Sequence, residues 1–91
     1  MYQIESASSR IKRELCRIPP PDRGRIAEAV QALVDEPRPP GVVQLEQDVY
    51  RLRVGDYRVV YKVLDEERII LIGWIARRSE SAYRDLRRLF E

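Results

Sequence analysis

The chain has 91 residues, 44% hydrophobic and 35% charged, the composition of one soluble folded domain spanning 1–91 rather than of a disordered tail. Seventeen basic and fifteen acidic side chains leave a net charge of +2, with one cysteine and no histidine. These counts exclude histidine-based acid–base and nucleophile systems, a histidine-containing metal site, an intrachain disulfide and a CxxC motif.

No apolar run reaches the ~20 residues needed to span a bilayer. The longest, Ile69 to Ala76, is strand-sized and interrupted by Gly73. No signal-peptide pattern is visible around Met1, Tyr2 and Gln3, so a cytoplasmic protein without a membrane anchor is expected. Charge is distributed unevenly: residues 1–48 carry seven basic and eight acidic side chains, residues 49–91 ten basic and seven acidic. Any polyanion partner therefore has to be recognised by local clustering in the second half.

In chain order, Tyr2, Gln3 and Ile4 alternate and predict a short opening strand. Ser6 or Ser8 can cap a helix in which Ile11, Leu15 and Ile18 share one apolar face. Pro19, Pro20 and Pro21 end it, and Asp22 is a plausible N-cap for a second helix with Ile26, Val30 and Leu33 on one face. Pro37, Pro39, Pro40 and Gly41 close that helix. Cys16, beside Leu15, reads as a small, half-buried apolar residue. The period then changes. Val49 to Val54 alternates apolar and basic, Gly55–Asp56 supplies a turn, and Tyr57 to Leu64 is β-branched and aromatic. Asp65 to Arg68 is a polar turn. Ile69 to Ala76 reads as a central strand covered on both faces. Ser79 can cap a last helix containing Ala82, Leu86 and Leu89. The expected order is β, α, α, β, β, β, α. The fold class is α+β: an antiparallel sheet packed on an N-terminal helical hairpin, with a short C-terminal helix.

The segment from Val49 to Lys62 makes a sharper statement. With Gly55–Asp56 as a two-residue turn, Val54 faces Tyr57, Arg53 faces Arg58, Leu52 faces Val59, Arg51 faces Val60, Tyr50 faces Tyr61 and Val49 faces Lys62. Paired residues share a face of the sheet. One face is then apolar and aromatic, and the other collects Arg51, Arg53, Arg58 and Lys62. Like charges directly opposite are destabilising, so the arrangement makes sense if an anion neutralises it; the guanidinium fork suits phosphate. The plain alternative is a solvated sheet face whose long side chains splay into water. If the turn Asp65–Arg68 pairs Leu64 with Ile69, Val60 faces Gly73 and Arg58 faces Ile75. Parity then puts Arg77 on the basic face, leaves a notch or a bulge at Gly73 and puts Trp74 in the core. Tyr83 can stack on a nucleobase beside the arginines, or simply pack with Leu86 and Phe90.

Three features together resemble the RelE/ParE toxin superfamily, the toxic halves of bacterial toxin–antitoxin pairs. They are the helical hairpin, the phrase from Tyr50 to Tyr61 around Gly55–Asp56, and the end Arg77–Arg78–Ser79–Glu80–Ser81–Ala82–Tyr83–Arg84. The resemblance covers nearly the whole chain, and its central phrase does not separate ribosome-dependent mRNA nucleases of the RelE branch from gyrase-poisoning ParE proteins. The tyrosine after the arginine pair favours RelE. The RelE resemblance implies metal-independent attack of a ribose 2′-hydroxyl on the adjacent phosphate of mRNA in the ribosomal A site, and a cognate antitoxin as partner. It implies that Arg51 and Arg53 are the basic pair before the turn, that Arg58 supports the reacting phosphate and that Tyr83 stacks on the mRNA base. It further implies that Arg78, or else Arg77, acts as general acid, that Arg77 and Lys62 contact RNA, and that no cofactor takes part. Where the best-known pattern has lysines before the turn, this chain has arginines, which are poor bases. That leaves the base open between Lys62 and the ribosomal RNA.

Overall fold

A computed structural model describes residues 1–77 and 86–90. Its elements are β1 (Gln3–Ser6), α1 (Ser9–Arg17), α2 (Pro20–Ala32), β2 (Val43–Glu46), β3 (Val49–Val54), β4 (Tyr57–Leu64), β5 (Ile69–Arg77) and α3 (Leu86–Leu89). Six of the seven expected elements lie within the described residues, and of the last helix Leu86–Leu89 does, as α3; its expected cap Ser79 and Ala82 lie outside them. The α+β class holds. β2 is additional: a four-residue edge strand with three exposed positions and a bulge between Gln44 and Glu46. So short a segment offers too few positions for alternation to register.

The helices form for local reasons. Ser8 is the N-cap of α1 in extended conformation, and Ile11 and Ile18 are buried while Leu15 is half-buried. Cys16 is exposed, against the expectation of half-burial, because it points away from that stripe. The proline run does more than end α1. Pro19 is the N-cap of α2 and prolines occupy its first turn, where their missing N–H groups cost nothing. Asp22 therefore sits inside the first turn rather than capping it, its carboxylate favoured there by the helix dipole.

The five strands run in the order β1-β5-β4-β3-β2. β1 lies parallel to β5, so one edge of the sheet departs from the antiparallel pattern that joins the other strands. The helical hairpin covers one face. Ile11, Ile18, Ile26 and Leu33 meet Tyr50, Tyr57, Val59, Tyr61, Val63, Ile70, Ile72 and Ile75 in the main core. Each such aliphatic side chain contributes about 1.5–3 kcal/mol by leaving water. No helix among the described residues is long and apolar enough to cross a membrane.

At the sheet end away from Gly55, polar groups fasten the loop after α2. The Tyr61 hydroxyl donates to the Pro37 carbonyl at 2.7 Å. Arg38 donates from Nε to the Tyr50 hydroxyl and from a terminal nitrogen to Asp65, each at 2.8 Å. Tyr2 also donates to Asp65. Arg38 and Tyr2 hold the Asp65 carboxyl below its ordinary range, and burial pushes Tyr61 up to about 12. No periodicity announces this latch, since Tyr2, Pro37–Arg38, Tyr50, Tyr61 and Asp65 come from five separate places along the chain.

Candidate nucleic-acid interface

The β3–β4 ladder has the expected register at every position: Val54 with Tyr57, Arg53 with Arg58, Leu52 with Val59, Arg51 with Val60, Tyr50 with Tyr61 and Val49 with Lys62. Gly55 sets it. Its φ of +59° is the left-handed value that a two-residue hairpin turn with glycine first demands. Tyr50, Tyr57, Val59 and Tyr61 accordingly enter the main core. Arg51, Arg53, Arg58 and Lys62 share the parity of the other face, with Arg53 exposed and the other three half-exposed.

The β4–β5 ladder corrects the second expectation. It begins as anticipated, Leu64 with Ile69, and keeps step to Tyr61 with Ile72. The register then shifts: Val60 pairs with Trp74, Arg58 with Ala76 and Tyr57 with Arg77. Gly73 is the extra residue of a bulge, and every later position changes face. Trp74 therefore leaves the main core and joins Val49 and Val60 in a second cluster on the arginine-bearing face, packed by Leu45, Ala76, Leu89 and Phe90. Arg77 pairs with Tyr57, so its parity is that of the helix-covered face and not that of Arg58. It still ends β5 opposite Tyr57, the neighbour of Arg58, at the turn-side end of the sheet.

At that end a cleft of about 440 Å³ opens between the end of α1 and the end of β5, lined by Glu14, Arg17, Tyr57, Trp74 and Arg77 among others. Arg17 thus adds a basic side chain that hydrophobic spacing on α1 did not single out. Arg51, Arg53 and Arg58 lie together in the turn-proximal half of their face. Lys62 lies four residues along β4 from Arg58, roughly 13 Å at ~3.3 Å per residue, beyond the buried Val60. Arg78 and Tyr83 lie outside the described residues.

Three arginines on one face of the sheet can bind several oxygens of a polyanion at once, while Arg17 and Arg77 line the cleft at the ends of α1 and β5. The comparisons agree with this architecture. Residues 5–82 match the family described as the ParE toxin of the type II toxin–antitoxin system parDE. A Methanocaldococcus jannaschii protein described as the toxin RelE1 is 35% identical over 81 residues, covering 84% of this chain and 89% of that one. Among solved structures, the isolated Escherichia coli RelE toxin superposes with a TM-score of 0.77 at 19% identity, covering 90% of this chain and 89% of that one. RelE in the RelE–RelB complex of Pyrococcus horikoshii OT3 gives 0.74 at 26% identity, covering 88% and 98%. The RelBE2 toxin–antitoxin complex of Mycobacterium tuberculosis gives 0.72 at 23% identity, covering 85% and 98%. The family match and the RelE1 relative define a toxin of the type II toxin–antitoxin class. The chain belongs to the RelE/ParE toxin superfamily and is RelE-like in fold.

Proposed function

We propose that the chain is an mRNA endonuclease toxin that acts in the ribosomal A site and is silenced by a cognate antitoxin. The observation that carries this reading is the register that gathers Arg51, Arg53 and Arg58 on one face beside the strand end bearing Arg77. The 35% identity to a RelE toxin supports the same branch.

In this reading a ribose 2′-oxygen attacks the adjacent phosphorus. The P–O5′ bond breaks, leaving a cyclic phosphate and a free 5′-hydroxyl. Negative charge accumulates on the phosphate oxygens in the transition state, where fixed guanidinium donors act most strongly. Arg58 stabilises the reacting phosphate, and Arg51 and Arg53 hold the strand beside it. Arg78, or else Arg77, protonates the departing 5′-oxygen, and Tyr83 stacks on the base. Arginine is a poor acceptor for the 2′-hydroxyl proton. Lys62, roughly 13 Å along β4 from Arg58, is placed to hold a different part of the RNA. The proton therefore passes to ribosomal RNA or water. Such a site works where ribosomes are, in the cytoplasm, and needs no metal or cofactor.

The antitoxin partner is supported by the solved relatives from Pyrococcus horikoshii and Mycobacterium tuberculosis, both toxin–antitoxin complexes. An acidic segment would complement the basic face.

The match to the ParE family supports a second reading, inhibition of DNA gyrase without nuclease activity. Mapping mRNA 5′ ends after brief induction separates the two. The nuclease produces new 5′-hydroxyl ends within reading frames; the gyrase inhibitor produces a DNA-damage response with intact mRNA.

A further inference from the structure

Gly73 is held from two sides. From the helix side, Arg10 donates to its carbonyl oxygen at 2.9 Å, while Glu14 fixes the same guanidinium at 2.8 Å. On the arginine-bearing face the glycine has no side chain, and the Phe90 ring occupies that place. A Cβ built on Gly73 would lie 2.6, 2.7 and 3.0 Å from Phe90 Cε1, Cζ and Cδ1. The backbone of Gly73 does not have the positive φ that favours glycine, so the ring, and not the backbone conformation, excludes a larger residue. Phe90 and Leu89 then pack on Val49, Val60 and Trp74, midway along the face that carries Arg51, Arg53 and Arg58 at one end and Lys62 at the other.

We propose that Phe90, seated in the Gly73 socket, is a positioning residue for the toxin's active face. The plug docks α3 on the sheet and restricts substrate to the Arg51–Arg53–Arg58 half. The bulge explains why the socket exists. It supplies the unpaired residue whose carbonyl is free for Arg10 and whose missing Cβ admits the ring. The consequence for RNA rests on the nuclease reading, whereas the docking itself does not.

Trp74, the single tryptophan, packs in the same cluster as Phe90 and reports the docking directly. The test compares wild type, Gly73→Ala, Phe90→Ala and the double variant Gly73→Ala/Phe90→Leu, all well below their melting temperatures. Three readouts are taken: Trp74 emission, growth arrest on induction, and kcat and KM for mRNA cleavage on programmed ribosomes. Gly73→Ala and Phe90→Ala are expected to red-shift Trp74 emission. They should weaken growth arrest and lower kcat about tenfold to a hundredfold, the scale of an ångström-sized misplacement. The double variant, whose shorter side chain leaves room for the methyl group, is expected to recover emission and growth arrest towards wild type. Unchanged emission in Gly73→Ala overturns the socket. Shifted emission with undiminished growth arrest overturns the positioning role. Absence of cleavage by wild type overturns the nuclease reading alone, and emission with growth arrest still decides the socket.

Discussion

Arg53 and Arg58 stand directly opposite each other across the β3–β4 ladder, two like charges at the shortest side-chain spacing an antiparallel pair offers. Such a pair costs stability in the toxin alone. Arg53→Thr keeps a strand-favouring residue and removes the repulsion. It should raise stability in urea unfolding by about 0.2–1 kcal/mol, with the gain shrinking as salt is raised. A loss of stability at low salt would mean that the pair is not a repulsive one.

The register depends on one backbone angle. Gly55 has φ +59°, and nothing lies within 4 Å of where its Cβ would be, so the effect of substitution is conformational rather than steric crowding. Gly55→Ala should cost about 1–2 kcal/mol, because glycine alone takes a positive φ here without steric cost. A denaturant titration showing no loss of stability in Gly55→Ala would contradict this reading of the turn.

Gly55–Asp56 is also why this hairpin was legible from sequence. A two-residue turn flanked by alternating apolar and basic residues leaves one register, and all six pairs follow from it. The next ladder was not legible beyond Tyr61, because a bulge at Gly73 depends on what fills the space. Here Phe90, seventeen positions away, fills it, and no local pattern announces that contact. The same shift sent Trp74 and Arg77 to faces opposite from those that unbroken alternation assigns. The apolar stripes of α1 and α2 were plain, whereas β2 was too short to register and the Arg38–Asp65–Tyr50 latch joins residues no periodicity connects.

Tyr61 is fully buried, with its hydroxyl on the Pro37 carbonyl. Tyr61→Phe should destabilise by about 1–2 kcal/mol at neutral pH through the lost hydrogen bond and the carbonyl left unpartnered. Burial raises this phenol from 10 to about 12. The folded state keeps the proton that the unfolded chain loses, so the contribution is constant below pH 10 and declines as pH rises from 10 towards 12. The decline should amount to roughly 3 kcal/mol over that window. Comparing urea midpoints of wild type and Tyr61→Phe at pH 9, 10, 11 and 12 checks this. Because that decline exceeds the neutral-pH advantage, wild type should fall below Tyr61→Phe in stability before pH 12, and parallel curves would refute the assignment.

In the nuclease reading, the arginines gathered by the β3–β4 register act on a phosphodiester. Purified wild type and Arg58→Ala, each first shown to have native circular dichroism, are incubated with ribosomes holding a defined mRNA, and the RNA ends are mapped by primer extension. The account predicts A-site cleavage by wild type, with a loss of at least a hundredfold in Arg58→Ala, the scale seen when a transition-state charge donor is removed. Cleavage by the folded Arg58→Ala protein at the wild-type rate would contradict it.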